Sequence, residues 1–176
     1  MPRIVAVANM KGGTGKTTTA VNLAAGLIVL DKTARVLVID LDPQANLSIT
    51  FGIDITKLPV SMSEILLDDD LGFEYAIHKK GRLHIAPSTI RLALTQRQLQ
   101  SITAGEFNLR DKLDHIKDDY DFIIIDTPPQ LSTLLDSALY VCQEILIPID
   151  VGYYRHAGNS GASYRRRARQ EDEQRN

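Results

Sequence analysis

Four short runs of aliphatic and β-branched residues punctuate the chain: Arg3–Asn9 (RIVAVAN), Arg35–Asp40 (RVLVID), Asp121–Asp126 (DFIIID) and Glu144–Ile149 (EILIPI). Each is nearly continuous rather than alternating, which is the pattern of a strand covered on both faces. Between them lie stretches of helical composition at Lys16–Leu30, Arg91–Ile102, Glu106–Lys117 and Leu131–Val141. A shorter one at Ser61–Leu67 carries a Ser61/Glu64 capping-box spacing. Leu83–Ala86 predicts one more short strand, ended by Pro87. Strand, glycine-rich loop, helix and strand in succession at the N-terminus make a βαβ unit, whose strands should be parallel. The alternation along the chain predicts an α/β fold: a parallel sheet flanked by helices on both faces.

The 176 residues suffice for one domain and no more. The pattern stops after Asp150: Gly152–Asn176 shows no periodic apolar face and predicts a flexible end. This divides the chain into a domain at 1–154 and an Arg-rich tail at 155–176. The tail holds six arginines against Glu171, Asp172 and Glu173, a net of +3, so the remainder carries −5 of the overall −2. A basic tail of this kind either binds an anionic partner or is simply solvated. A lone cysteine, Cys142, allows no internal disulfide and fits a reducing, cytoplasmic setting. No apolar run approaches the length of about 18 residues needed to span a bilayer, and the N-terminus lacks the features of a signal peptide.

Chemistry concentrates at residues 9–19, NMKGGTGKTTT. A phosphate-binding loop of the form G-x-x-x-x-G-K-[ST] would place a glycine at position 10; here Met10 stands there, followed by a second cation, Lys11. Gly12, Gly13 and Gly15 let backbone N–H groups, that of Thr14 included, converge on phosphate oxygens. The start of the following helix adds its partial positive charge. Lys16 is placed for the β- and γ-phosphates, the Thr17 hydroxyl for Mg²⁺, and Thr18 for the α-phosphate. Asp126 ends an apolar strand, the position of an acid that holds Mg²⁺. Asp40 and Asp42 end another, either as polar strand ends with helix caps or as part of the same site. In a parallel sheet these strand ends share one edge. The acidic stretch Asp68-Asp69-Asp70 lacks metal-ligand spacing and predicts a loop.

The loop KGGTGKTTT, together with DLDPQAN and IIIDTPP, resembles the deviant Walker A ATPases of the ParA/Soj family, within the wider MinD/ParA superfamily. VNLAAGL, SMSEILLDD, LHIAPSTIRLA, YDFIIIDTPPQLSTLLDSAL and ILIPIDVGYY extend the likeness from residue 3 to about 154. The resemblance implies a P-loop NTPase fold, ATP and Mg²⁺ as cofactors, and slow ATP hydrolysis. It implies that Lys11 reaches the nucleotide of a second copy in an ATP-dependent homodimer, and that Asp42 orients the attacking water. Asp40 would support the Mg²⁺ shell, Asp126 would be the Walker B acid, and Pro128 and Pro129 would lie in a switch loop. It further implies non-specific DNA binding on the nucleoid, stimulation by a ParB-type partner protein, and a role in plasmid or chromosome partition.

Other branches of the superfamily fit less well. A single cysteine cannot supply the cluster ligands of the nitrogenase iron protein. The tail has no Leu, Ile or Phe to form the membrane helix of MinD, so no membrane partner is expected. The sequence begins at its first strand, so a preceding helix-turn-helix region is not expected. Relatives normally continue beyond YY, which makes this chain short at its C-terminus. The alternatives are a truncated, non-hydrolysing ATP-binding interaction module or a MinD-like positioning ATPase.

Overall fold

The computed structural model describes residues 1–150; the tail and the domain boundary at 154 lie outside them. Six strands form one sheet in the order β3-β4-β2-β5-β1-β6. They are β1 (Arg3–Val7), β2 (Val36–Asp40), β3 (His78–Lys80), β4 (Leu83–Ala86), β5 (Phe122–Asp126) and β6 (Glu144–Leu146). The helices are α1 (Lys16–Leu30), α2 (Asn46–Thr50), α3 (Met62–Ile65), α4 (Leu92–Ser101), α5 (Asn108–Asp114) and α6 (Thr133–Val141).

The continuous apolar runs are explained by burial on two sides. In β2 every residue is buried, and the two-residue side-chain period divides it between layers. Leu37 and Ile39 join Ile4, Ala6, Ile123 and Ile125 in one core. Val36 and Val38 join Val7, Ile85 and Ile124 in the other, where α1 packs through Ala20 and Ala24. Small alanines let the α1 backbone sit close to the sheet, which fixes the height of its N-terminus beside the strand ends.

β1 and β2 are parallel but not neighbours, since β5 lies between them. Val7 and Asp40 each pair in register with Asp126. The insertion of β5 therefore sets Asp126 between the loop that leaves β1 and the acids that end β2. The sheet is not wholly parallel either: β3 pairs antiparallel with β4 as an edge hairpin. All three β3 residues are exposed and polar, so no apolar pattern marks them; such an edge strand is held by backbone bonds.

Two further expectations need correction. The stretch Glu106–Lys117 is not one helix: α5 is flanked by 3-10 turns at Gly105–Phe107 and Lys117–Asp119. Gly105 lies so close to α4 that a Cβ there would sit 2.4 Å from the Leu99 carbonyl oxygen, and Ala104 before it has φ +61°. β6 stops at Leu146 rather than Ile149, because Pro148 has no N–H to continue the ladder. α2, five residues long, carries no periodic signal of its own. The capping box forms as expected, with the Ser61 N–H donating to Glu64 at 2.8 Å and the Ser61 hydroxyl accepting from Ser63 N–H.

Candidate nucleotide site

The loop from Ala8 to Gly15 joins the carboxyl end of β1 to the first turn of α1. Asn9 organises its entry: its carboxamide oxygen accepts from the Lys11 N–H at 2.9 Å, and its NH₂ donates to the Pro148 carbonyl at 2.8 Å. Gly13 and Gly15 have φ of +73° and +85°, the left-handed region that glycine enters without a Cβ penalty. A Cβ built at Gly12, Gly13 or Gly15 would meet nothing within 4 Å, so the loop surrounds open space. α1 starts with no side-chain cap and no acid in its first turn. Its leading N–H groups are thus left for an anion at the loop.

Lys16 is 7% exposed, and its ammonium donates to the Lys11 carbonyl over a long 3.4 Å. Lys11 and Thr18 are exposed at the rim, Thr14 and Thr17 half-buried. The Thr14 hydroxyl also donates to the Lys11 carbonyl, at 3.3 Å.

Two buried carboxylates face this loop in different states of satisfaction. Asp40 is fully buried; one oxygen accepts from the Ser48 N–H at 3.0 Å and its hydroxyl at 2.7 Å, the other from the Asp42 N–H at 3.1 Å. Burial pushes its pKa up to about 6, against the pull of these donors. Asp126 is as deeply buried, yet neither of its oxygens has a hydrogen-bond partner among the described residues. Burial pushes it up to about 7; the Thr17 hydroxyl and the Lys16 charge oppose the rise, while Asp40 and Asp42 add to it. Thr17 is close enough to bias Asp126 toward ionisation without closing a hydrogen bond of ordinary geometry. The Asp126 backbone is anchored where its side chain is not: its carbonyl accepts from Leu41 N–H at 3.0 Å, and the next residue, Thr127, donates its hydroxyl to Val7 at 2.9 Å. Asp42 is half-buried and accepts from the Gln44 N–H at 2.9 Å.

An orphaned buried carboxylate is rare because it costs free energy. Beside a hydroxyl, under an open cradle of N–H groups, it supplies the hard oxygen donors that suit Mg²⁺ held jointly with phosphates. The residues thus fit MgATP. Asp68–Asp70 forms no such site: no group of three or more His, Cys, Asp or Glu among the described residues is placed to hold a metal. A separate cavity of about 530 Å³, lined by Glu106, Thr133, Asp136, Leu139 and Tyr140, has neither glycine loop nor lysine and is not part of this site.

Two contributors carry weaker sequence signals. Ser48 was hidden in α2, though a hydroxyl eight residues after a strand-end acid is placed to hold it. Asn9, directly before the loop, carries no sequence signal beyond that of a strand end.

Comparison with known proteins agrees with this geometry. A family model described as an AAA domain matches residues 2–167. The sporulation initiation inhibitor protein Soj of Bacillus subtilis is 38% identical over 161 residues, which cover 91% of this chain and 63% of Soj. The chromosome partitioning protein ParA of Myxococcus xanthus is 39% identical over 159 residues, 90% of this chain and 56% of that protein. Among solved structures, cobyrinic acid a,c-diamide synthase from Mycobacterium smegmatis with bound ATP analog and magnesium superposes with a TM-score of 0.80 at 36% identity, over 85% of this chain and 60% of that one. A plasmid partition protein of Borrelia burgdorferi bound to AMPPNP gives 0.69 at 31%, over 85% and 62%. The chain spans about 60% of the length of the curated relatives it matches. No helix among the described residues is long and apolar enough to cross a membrane. By its loop, its acids, its sheet order and its sequence, the chain belongs to this AAA domain family, in the ParA/Soj group of P-loop ATPases.

Proposed function

We propose that the chain is a ParA-like ATPase of plasmid or chromosome partition that binds MgATP, pairs with a second copy when loaded, and hydrolyses ATP slowly until a ParB-type protein stimulates it. One observation carries the nucleotide reading: Asp126, buried and without a partner, lies beside Thr17 and Lys16 beneath an open glycine loop. When bound, Mg²⁺ would supply the positive charge that offsets the phosphate oxygens. Thr17 and Asp126 would hold it, Asp126 through water. Lys16 would exchange its long bond to the Lys11 carbonyl for phosphate. The N–H groups of residues 12–18 would take the remaining oxygens.

Asp40, with both oxygens already engaged by Ser48 and Asp42, would act on the Mg²⁺ shell chiefly by fixing the loop that carries Asp42. Asp42, half-buried at the same edge, would orient the attacking water. Lys11, exposed at the rim, would reach the nucleotide of the second copy and stabilise charge in the transition state. Non-specific DNA binding and a nucleoid location complete the reading, supported by the partition names of the relatives.

Phosphate release measured with and without Mg²⁺ tests it. Turnover should require the metal and vanish in Lys16→Ala and Asp42→Ala. Nucleotide binding without any turnover, in the presence of DNA and partner, would replace the ATPase by a non-hydrolysing interaction module. Light-scattering mass should double with ATP in the native chain and stay monomeric in Lys11→Ala; an unchanged dimer in the variant would remove Lys11 from the interface.

A further inference from the structure

β1 ends at Val7, and the chain turns off the sheet into the glycine loop. Its link to β6 nevertheless continues. The Ala8 N–H donates to the Leu146 carbonyl at 3.0 Å. One step further along a parallel ladder, the donor to the carbonyl of residue 148 would be the N–H of residue 10. The Asn9 side chain makes that contact instead: its NH₂ donates to the Pro148 carbonyl at 2.8 Å. Its carboxamide oxygen accepts from the Lys11 N–H at 2.9 Å, an Asx turn. One planar group thus joins the end of β6 to the backbone of Lys11. The partners fix which end is which, since a carbonyl can only accept and an N–H only donate. Aspartate in this place would offer Pro148 no donor, and alanine would make neither contact.

The Lys11 peptide is held unevenly. Asn9 grips its N–H at an ordinary length, whereas the bonds its carbonyl takes from the Lys16 ammonium and the Thr14 hydroxyl are long, at 3.4 and 3.3 Å. Gly12 and Gly13 follow directly, and Gly13 has φ +73°. Rotation of the Lys11 peptide can therefore be absorbed before the chain reaches Thr14 and α1. Lys16 and Thr17 have a different support, the first turn of α1, which packs on the sheet through Ala20 and Ala24. Lys11 and Met10 stand exposed on the loop, with half-buried Asn9 as the anchor just before them.

We infer that Asn9 is a positioning residue for Lys11: by fastening the Lys11 N–H to the end of β6, it fixes the direction in which that lysine leaves the loop. The inference rests on the proposed role of Lys11 at the nucleotide of a second copy and adds the residue that aims it. Lysine carries its charge on a flexible four-carbon stem, so a turn of the peptide at its base is magnified at the ammonium. Nucleotide held by one copy alone calls on Lys16 and the loop amides and does not need this alignment.

The test compares the native full chain with Asn9→Ala in two measurements. One is light-scattering mass over a protein concentration series in Mg²⁺ and a non-hydrolysable ATP analogue; the other is titration with a fluorescent ADP. Asn9→Ala should pair about tenfold more weakly, the scale of one to two neutral hydrogen bonds, while its affinity for ADP stays at the native value. Asn9→Ser, whose hydroxyl can still accept from the Lys11 N–H, should recover part of the pairing, a rescue that a merely disturbed fold would not permit. Three results would overturn the inference: native pairing in Asn9→Ala, an ADP affinity that falls in step with pairing, or pairing in Asn9→Ser no better than in Asn9→Ala. The second of these would make Asn9 a support of the phosphate loop alone. A native chain that does not pair in the analogue would remove the role of Lys11 and this inference together. One that pairs but releases no phosphate from ATP would refute the proposed enzyme and leave Asn9 in its place.

Discussion

Replacing Asp126 by Asn separates what the residue does for folding from what it does for function. The carboxyl is fully buried and unpartnered, and its pKa is raised from 3.8 to about 7. At pH 8 both folded and unfolded chains carry it ionised, and keeping that charge inside the fold costs on the order of 4 kcal/mol. Asn removes the charge but buries an amide with an unmet donor, which costs about 1–3 kcal/mol. The charge dominates, so Asp126→Asn should stabilise the nucleotide-free protein at pH 8 by about 1–3 kcal/mol, a rise of roughly 2–10 °C in Tm. The sign follows from proton linkage. Between pH 4 and 7 the folded state retains a proton that the unfolded state releases, so native stability falls as pH rises through this window. Near pH 4 the folded carboxyl is neutral and the unfolded one about half ionised, so the charge costs less than about 1 kcal/mol and the amide cost outweighs it. The Tm difference between variant and native protein should therefore be negative or near zero at pH 4.5 and positive at pH 8, read by differential scanning fluorimetry. In the same assay the Tm rise produced by MgATP in the native chain should be lost. A variant destabilised equally at both pH values would refute the reasoning and show that Asp126 has a partner in the fold.

Other perturbations follow from the same geometry. The Ser48 hydroxyl donates to Asp40 at 2.7 Å and accepts from the Ser88 N–H at 3.0 Å, all buried. Ser48→Ala should cost about 2–3 kcal/mol in urea unfolding and reduce phosphate release by loosening the Asp42 loop; unchanged stability would mean water replaces the hydroxyl. Gly105→Ala drives a Cβ against the Leu99 carbonyl and should cost roughly 1–3 kcal/mol. It lies away from the loop, so the increment in Tm on adding MgATP should persist, and loss of that increment would tie the two regions together.

Legibility varied with how strongly local chemistry fixes each element. α1 and β4 have the bounds expected from composition alone. β1, β2 and β5 could be read because two-sided burial demands uninterrupted apolar residues. The glycine loop and the strand-end acids were equally plain, since spacing and strand context determine both. What escaped depends on partners distant in sequence. β3 has three exposed polar residues and exists only through β4. The place of β5 between β1 and β2 is a property of the whole sheet, although it is what sets Asp126 beside the loop. The different conditions of Asp40 and Asp126 were also invisible. Both end apolar strands with the same letters, ID, but Ser48 hydrogen-bonds one, while the other is approached by Thr17 and makes no hydrogen bond of ordinary geometry among the described residues.

The most direct measurement is calorimetric titration of the chain with a slowly hydrolysed ATP analogue, once with Mg²⁺ and once with chelator. If an unsatisfied carboxylate and a cradle of amides await a metal–triphosphate, saturable binding at one site per chain should depend on Mg²⁺ and disappear in Lys16→Ala. Heats that are absent from the native chain, or equal with and without the metal, would contradict the account.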